Sequence, residues 1–136
     1  MAGLRGKTAI VGVGVTRQGE HPGRSAEEIG VEAIGLALAD AGIDKTRIDG
    51  LITCKTSEGF GVDVAYGPLL GIDPAYSASL DYGTCNFSLH LAAMVIDAGL
   101  ATTVAIAYGS NQRTNRLRFT GAGARSGRAR PSSRRG

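Results

Sequence analysis

The chain has no tryptophan, only two cysteines and four prolines among its 136 residues. With 5% aromatic residues, its core must be built mostly from aliphatic side chains. Two cysteines are too few for a disulfide scaffold, and we expect Cys54 and Cys85 to be thiols in a reducing, cytoplasmic compartment. No apolar run approaches the roughly 20 residues of a membrane span, and no segment has the features of a signal peptide. We therefore expect a soluble protein with no membrane partner.

The net charge of +3 is unevenly distributed along the chain. Eight of the 15 basic residues lie in the last 24 positions, which contain no aspartate or glutamate. The remaining 112 residues carry seven basic and twelve acidic side chains. The body of the protein is therefore acidic, and we expect no nucleic-acid partner for it.

Alternating apolar strands and amphipathic helices predict one α/β domain. The continuous apolar run 8–15 is typical of a strand buried on both faces of a parallel sheet. Further strands are predicted over 48–54, 76–80 and 103–108, and helices over 25–41, 62–70 and 84–98. The order β-α-β-α-β-α-β favours a mostly parallel sheet with helices on both faces, in three αβα layers.

Two local signals mark the ends of the first helix. Ser25 stands three residues before Glu28, which is the spacing of a capping box, and Gly42 follows the last apolar position. Residues 120–136 have no periodic apolar face, and 121–136 contain only Gly, Ala, Arg, Ser and Pro. We expect this tail to be disordered. Its abrupt change of composition is typical of a shifted reading frame in GC-rich DNA.

Three segments resemble the amino-terminal part of the thiolase superfamily, in its thiolase-like and sterol-carrier-protein-X-type acetyl-CoA acetyltransferase branch. They are residues 9–44 with 48–53, residues 92–110, and the sequence NQRT at 111–114. The resemblance implies that 1–119 form part of a thiolase-like amino-terminal domain, one of two similar halves. It also implies acyl transfer or carbon–carbon cleavage on an acyl-CoA thioester as substrate, with no bound cofactor and no metal.

Cys85, at the start of the helix over 84–98, is the candidate nucleophile. A thiol in the first turn of a helix lies near unpaired N–H groups and the positive end of the dipole, which favour the thiolate. Gly83, Thr84 and Asn86 are the candidate substrate-binding residues at the same helix start. Against the family pattern, however, the nucleophile position falls about three residues before Cys85. A buried structural cysteine therefore stays an alternative, as does a subgroup of the family that lacks the nucleophile and performs retro-aldol cleavage.

The two histidines do not complete a catalytic pair with Cys85. His90 follows it by five residues, about 500° around a helix, and therefore lies on another face. We expect His90 to be structural and His21, in the loop after the first apolar run, to be solvated. The family's acid–base residues come from the half not matched here, so we expect this 136-residue form to have little or no turnover.

Three other functions compete with this interpretation. Gly12-x-Gly14 resembles a dinucleotide fingerprint, but Arg17 stands where the third glycine belongs. The arginine-rich tail could attract phosphates of nucleic acid. A non-catalytic subunit is the third alternative, and the resemblance implies a homo-oligomer formed through this half and an OB-fold, zinc-ribbon partner protein. An apolar face of the last helix would then meet a second half, through Leu89, Ala92, Ala93 and Ile96.

Overall fold

A computed structural model describes residues 3–54, 62–81 and 84–116. The helices are α1 (Ala26–Ala41), α2 (Val62–Leu70) and α3 (Thr84–Asp97), with a short 3₁₀ turn at Lys45–Arg47. The strands are β1 (Gly50–Cys54), β2 (Tyr76–Leu80) and β3 (Val104–Ala107). The segment 55–61 and the predicted tail over 120–136 lie outside the described residues.

The three strands form one parallel sheet in the order β2-β1-β3. β1 lies in the middle, where Ile52 is aligned with Ala78 on one side and Ile106 on the other. All five residues of β1 are buried, as expected for a central strand covered on both faces. The predicted α/β class with a parallel sheet is confirmed.

The helices cover both faces of this sheet. α1 and α2 pack against each other. α1 also contacts β3, and α2 contacts β1 and β2, whereas α3 packs against β1 and β3. The chain leaves β1 in one direction to reach β2 and returns in the other direction to reach β3. Parallel crossovers are almost always right-handed, and two right-handed crossovers in opposite directions put α2 and α3 on opposite faces, in three layers.

The first helix has the ends that its sequence predicts. The Ser25 side chain accepts a hydrogen bond from the Glu28 N–H at 3.1 Å, and the Glu28 carboxylate accepts one from the Ser25 N–H at 2.9 Å. Gly42 then ends the helix with a φ of 65°, in the left-handed region where a side chain would be strained. Capping satisfies N–H groups that have no partner within the helix.

The run 8–15 corrects the prediction of a first strand. Gly12 and Gly14 both approach α1, so that a Cβ on Gly12 would lie 2.8 Å from the Ala41 Cβ. Gly12 and Gly14 are two residues apart, which is the period of an extended chain. The predicted burial on both faces is wrong, since Ile10, Val11, Val13 and Val15 are 65–74% exposed. Among the described residues, however, 8–15 pair with no strand. The apolar pattern predicted the extended backbone, but a strand also needs a neighbouring edge.

The apolar face of α3 also differs from the prediction. Ala92 is 8% exposed because it packs against the sheet together with Val95. The apolar side chains that α3 leaves exposed are Phe87, Leu89 and Met94. None of the helices in the described part of the chain is long and apolar enough to cross a membrane.

Candidate functional site

The carboxyl ends of the three strands meet at one edge of the sheet, called here the carboxyl edge. Because β2 ends at Leu80 and α3 begins at Thr84, the amino-terminal end of α3 lies at this edge. The first N–H groups of a helix have no intrahelical partner and attract negative charge or a polarised oxygen. In open parallel sheets this edge is where ligands bind.

A buried sulfur–hydroxyl contact ties α3 to the sheet. The Cys54 Sγ, at the end of β1, lies 3.8 Å from the Ser88 Oγ, one turn into α3. Cys54 is 2% exposed and Ser88 is fully buried. The contact fixes how far the first turn of α3 projects beyond the strand ends. Sequence reasoning treated Cys54 only as a thiol, since nothing local signals a partner 34 residues away.

The predicted site residues occupy this helix start. Thr84 and Cys85 are in the first turn of α3, where the prediction put them, and their side chains lie outside the described part of the structure. Gly83 also lies outside it. Asn86 is described and exposed, so its amide can reach a ligand. The roles of all four residues remain predictions.

A hydroxyl–carboxylate cluster joins the start of α2 to β2, and sequence reasoning missed it. The Asp63 carboxylate, in the first turn of α2, accepts hydrogen bonds from the Ser77 Oγ at 2.7 Å and the Ser79 Oγ at 2.6 Å. The Thr53 Oγ1 lies 3.1 Å from the Ser79 Oγ. The sequence did contain a signal for this cluster. Asp63 stands at the start of a predicted helix, and serines occupy alternate positions of the next predicted strand (Ser77 and Ser79).

The electrostatics of this cluster keep Asp63 ionised. Partial burial alone would raise the pKa of Asp63, but hydrogen bonds from the Ser79 and Ser77 hydroxyls and from backbone N–H groups lower it below the usual value. A carboxylate with a lowered pKa and satisfied oxygens is a weak base. Asp63 therefore acts as a fixed negative charge that orders the end of β2.

Tyr66 lies deeper, in the hydrophobic core. Its side chain is fully buried between α1 and β1, and its hydroxyl has no hydrogen-bond partner among the described residues. Burial raises the pKa of Tyr66 strongly, and the Glu27 carboxylate and the Cys54 thiol add to the effect. Its phenol therefore stays protonated at physiological pH.

The histidine predictions have different outcomes. The prediction that His21 is solvated is wrong, because His21 is 8% exposed. Its backbone N–H donates to the Thr114 Oγ1 at 2.7 Å, and its ring Nε2 donates to the Arg17 carbonyl oxygen at 2.9 Å. His90 lies exposed on α3. Within the described ranges, no group of three or more His, Cys, Asp or Glu side chains could hold a metal ion.

The chain is similar over most of its length to part of two curated enzymes. It is 34% identical over 119 residues to the 17-hydroxy-3-oxo-4-pregnene-20-carboxyl-CoA lyase of Mycobacterium tuberculosis, covering 85% of this chain and 30% of the enzyme. It is 31% identical over 117 residues to the steroid side-chain-cleaving aldolase of Thermomonospora curvata, covering 84% and 29%. The chain thus spans about 30% of the length of these relatives. No protein-family model matches it.

Two solved structures have a similar fold. An Ltp2–ChsH2(DUF35) aldolase superposes with a TM-score of 0.65 and 29% identity, covering 84% of this chain and 30% of that one. A monomeric SCP2-thiolase-like protein type 1 from Mycobacterium smegmatis superposes with a TM-score of 0.54 and 28% identity, covering 70% and 21%. The resemblance to thiolase-like proteins is confirmed, although the curated relatives are a lyase and an aldolase rather than acetyltransferases. The chain therefore has a thiolase-like α/β fold and is similar, over most of its length, to 29% of a steroid side-chain-cleaving aldolase.

Proposed function

We propose that this chain forms part of an enzyme that cleaves a carbon–carbon bond of a β-hydroxyacyl-CoA by a retro-aldol reaction. The observation that carries the proposal is the 34% identity to a CoA-thioester lyase over 85% of the chain. The helix start at the carboxyl edge supplies a matching place for a thioester oxygen. The substrate class is an acyl-CoA whose β-carbon bears a hydroxyl group. In a steroid substrate, this carbon would be a branched carbon of the side chain or the ring carbon that bears the side chain.

The reaction needs three proton or charge movements. A base removes the proton of the β-hydroxyl, the bond between Cα and Cβ breaks, and its electron pair forms a thioester enolate at Cα. The β-carbon becomes a ketone, and the enolate accepts a proton at Cα to give a shorter acyl-CoA. The step that an enzyme must stabilise most is the enolate, whose negative charge lies on the thioester oxygen.

The first turn of α3 is suited to that oxygen. Its unpaired N–H groups and the Asn86 amide are hydrogen-bond donors on a rigid helix, held against β1 by the contact between Cys54 and Ser88. Donors fixed before the reaction need no reorganisation as the charge develops. We propose Gly83, Thr84 and Asn86 as residues that bind the thioester at this position.

The base and the proton donor have a different origin. Asp63 has a lowered pKa and Tyr66 a raised one, which are the wrong directions for a group that must take up a proton near pH 7. We propose that these groups come from outside the described residues or from a partner chain. The structure of an Ltp2–ChsH2(DUF35) aldolase supports a partner protein, and a further copy of this chain is the other proposed partner.

Acyl transfer through Cys85 is the second candidate function, and the position of Cys85 in the first turn of α3 favours it. The two functions differ in what happens to the thiol. Acyl transfer forms a thioester between Cys85 and the acyl group and releases CoA, whereas retro-aldol cleavage leaves Cys85 unmodified. Intact-protein mass spectrometry after incubation with an acyl-CoA separates them.

We expect no added acyl mass on the native chain and the same result for Cys85→Ala. An acyl adduct that disappears in Cys85→Ala would replace the retro-aldol proposal by acyl transfer. Cys54→Ala is the matched control, because Cys54 is 2% exposed and should not be acylated in the folded protein. The rate of iodoacetamide labelling of Cys85, measured as a function of pH, gives a second test. An inflection at a pH well below about 8.5 would indicate a thiolate that is stabilised by its surroundings.

A further inference from the structure

The segment 8–15 is extended, and its unpaired backbone groups point to one side. Among the described residues, its backbone makes a hydrogen bond from the Val13 N–H to the Asp40 Oδ2 at 2.9 Å. In an extended chain the backbone groups of alternate residues point to opposite edges. The N–H and C=O groups of Ile10, Gly12 and Gly14 therefore point away from Asp40.

The edge that faces away from Asp40 looks towards β3. Ile34, Ala37 and Asp40 are spaced three residues apart on α1, so each is turned by about 60° from the one before. Ile34 packs in one core cluster with Ala107 of β3, Ala37 contacts the segment 8–15, and Asp40 accepts its hydrogen bond. The order across α1 is therefore β3, then 8–15, then Asp40.

The segment also runs alongside β3 in the same direction. Lys7, just before the segment, forms an ion pair with Asp97 at the end of α3, shortly before β3 begins. In the loop after the segment, the His21 N–H donates to the Thr114 Oγ1, which lies beyond the end of β3. The two chains are thus tied together at both ends.

β3 presents a second row of unpaired backbone groups. The Gly50 N–H of β1 donates to the Thr103 carbonyl oxygen, so the backbone groups of residues 103, 105 and 107 face β1. Those of Val104 and Ile106 face the other edge of β3, where no strand of the described part of the chain is paired. Two rows of unsatisfied donors and acceptors therefore face each other.

The gap between these rows is one strand wide. Neighbouring strands lie about 4.8 Å apart, and a segment 8–15 directly beside β3 would be hydrogen-bonded to it, which it is not among the described residues. α1 contacts both chains, and a helix with its side chains is about 10 Å across, or about two strand spacings. The gap therefore holds one strand and no more.

The two faces of the gap accept side chains of different size. Towards α1 the bordering residues are small, namely Ala105 and Ala107 of β3 with Gly12 and Gly14. Because side chains alternate along an extended chain, the opposite face is bordered by the β-branched residues Val104, Ile106, Val11, Val13 and Val15. These three valines are 65–74% exposed. A matching strand would carry small residues on one face and branched apolar residues on the other.

We propose that the gap between β3 and 8–15 is a binding site for one β-strand, supplied by polypeptide outside these 136 residues. The occupant is an uncharged extended segment in which small residues alternate with β-branched residues. Its backbone pairs with Ile106 on one side and with Gly12 on the other. In strand addition of this kind, main-chain hydrogen bonds give affinity and pockets for alternate side chains give specificity.

The source of the strand is the remainder of a longer protein and not a second copy of this chain. The segment 8–15 of a second copy carries its own α1 on its glycine face, and this helix would collide with the first α1. Turned over, the segment would direct its valines at α1, where the gap accepts only small residues. The chain covers 30% and 29% of its two curated relatives, so most of their polypeptide lies beyond the matched part. The proposal concerns assembly, so it fails or succeeds separately from the retro-aldol proposal.

Fluorescence anisotropy with a labelled peptide tests the site on the full chain. The peptide has two lysines at each end for solubility and, between them, valine alternating with alanine or glycine. We expect saturable binding. One control peptide is N-methylated at every valine and another at every alanine and glycine, so that each lacks the N–H groups of one edge. Both controls should lose binding, since both edges of the strand are paired. No binding of the first peptide, or binding retained by either control, would overturn the proposal.

Two proline variants of the chain give a matched comparison. In Ile10→Pro the ring replaces an N–H that faces the gap and projects into it, whereas in Val11→Pro the ring points to the opposite edge. The two positions are similarly exposed, at 69% and 65%. We expect Ile10→Pro to weaken peptide binding about tenfold or more and Val11→Pro to change it by less than about twofold. Equal effects of the two substitutions would contradict the orientation of the gap.

Amide hydrogen exchange measured by NMR needs no variant and reports on both borders. On addition of the peptide, the amides of Gly12 and Ile106, one from each border, should become protected, and that of Val11 should not. Protection of Ile106 alone would show that the peptide extends the edge of β3 without filling the gap, and would overturn the proposal.

Discussion

The fit between α1 and α2 gives the sharpest prediction of stability. Gly30 of α1 lies directly on Tyr66 of α2, and a Cβ at position 30 would be 2.6 Å from the Tyr66 Cζ and nearer still to its hydroxyl oxygen. Tyr66 is fully buried, so its rigid ring cannot move aside into solvent. Gly30→Ala must therefore separate α1 from α2 or displace the ring.

The expected magnitude follows from two opposing effects. Overpacking a close-packed core costs about 1–3 kcal/mol, occasionally more, and the depth of this overlap favours the upper end. Replacing a helical glycine by alanine stabilises by about 1 kcal/mol. We expect Gly30→Ala to lower the free energy of unfolding by about 2 kcal/mol.

The same helix offers a matched control. Gly35 is exposed, and a Cβ there would meet no atom within 4 Å. Gly35→Ala should therefore raise the free energy of unfolding by about 0.5–1 kcal/mol. Urea denaturation followed by circular dichroism measures both variants. Equal stabilisation by the two substitutions would refute the packing of Tyr66 on Gly30.

Three further predictions concern the cap, a pair of loops and a thiol. Ser25→Ala removes the hydroxyl that accepts from the Glu28 N–H and should cost about 1 kcal/mol in urea denaturation; no loss would contradict the role of the cap. Partial burial would raise the pKa of Asp49, but hydrogen bonds from Thr102 and Thr103 lower it, so its contribution to stability is present above the unfolded pKa of about 3.9 and is lost as pH falls below it. Asp49→Asn should flatten that acid loss in thermal melts, and an unchanged acid loss in this variant would contradict the role of Asp49. Cys54 should resist iodoacetamide until the protein is denatured, since it is 2% exposed; rapid native labelling would show that β1 is not covered by α3.

Local signals in the sequence predicted much of the fold. The capping box at Ser25 and the glycine at 42 act within a few residues, so the bounds of α1 follow from short-range chemistry. β1 is a short apolar run and β2 is a run of alternating apolar and polar residues, and each lies between turn residues. For the run 8–15, the same kind of pattern predicted the extended conformation but wrongly predicted strand pairing, because pairing depends on a second edge.

The features that sequence reasoning missed are long-range. His21 is buried because its backbone bonds to Thr114, 93 residues later. The cluster of Asp63, Ser77 and Ser79 joins a helix start to the neighbouring strand, and the contact of Cys54 with Ser88 joins two layers. Each contact needs the strand order, which composition and periodicity do not determine.

The measurement that tests the central claim most directly is product analysis of a β-hydroxyacyl-CoA incubated with an excess of the chain and of a DUF35 protein, the proposed source of the missing base, with and without free CoA. The retro-aldol proposal predicts one ketone and one shorter acyl-CoA for each substrate molecule consumed, with no need for free CoA. Products that form only when free CoA is added would identify thiolysis and contradict the proposal.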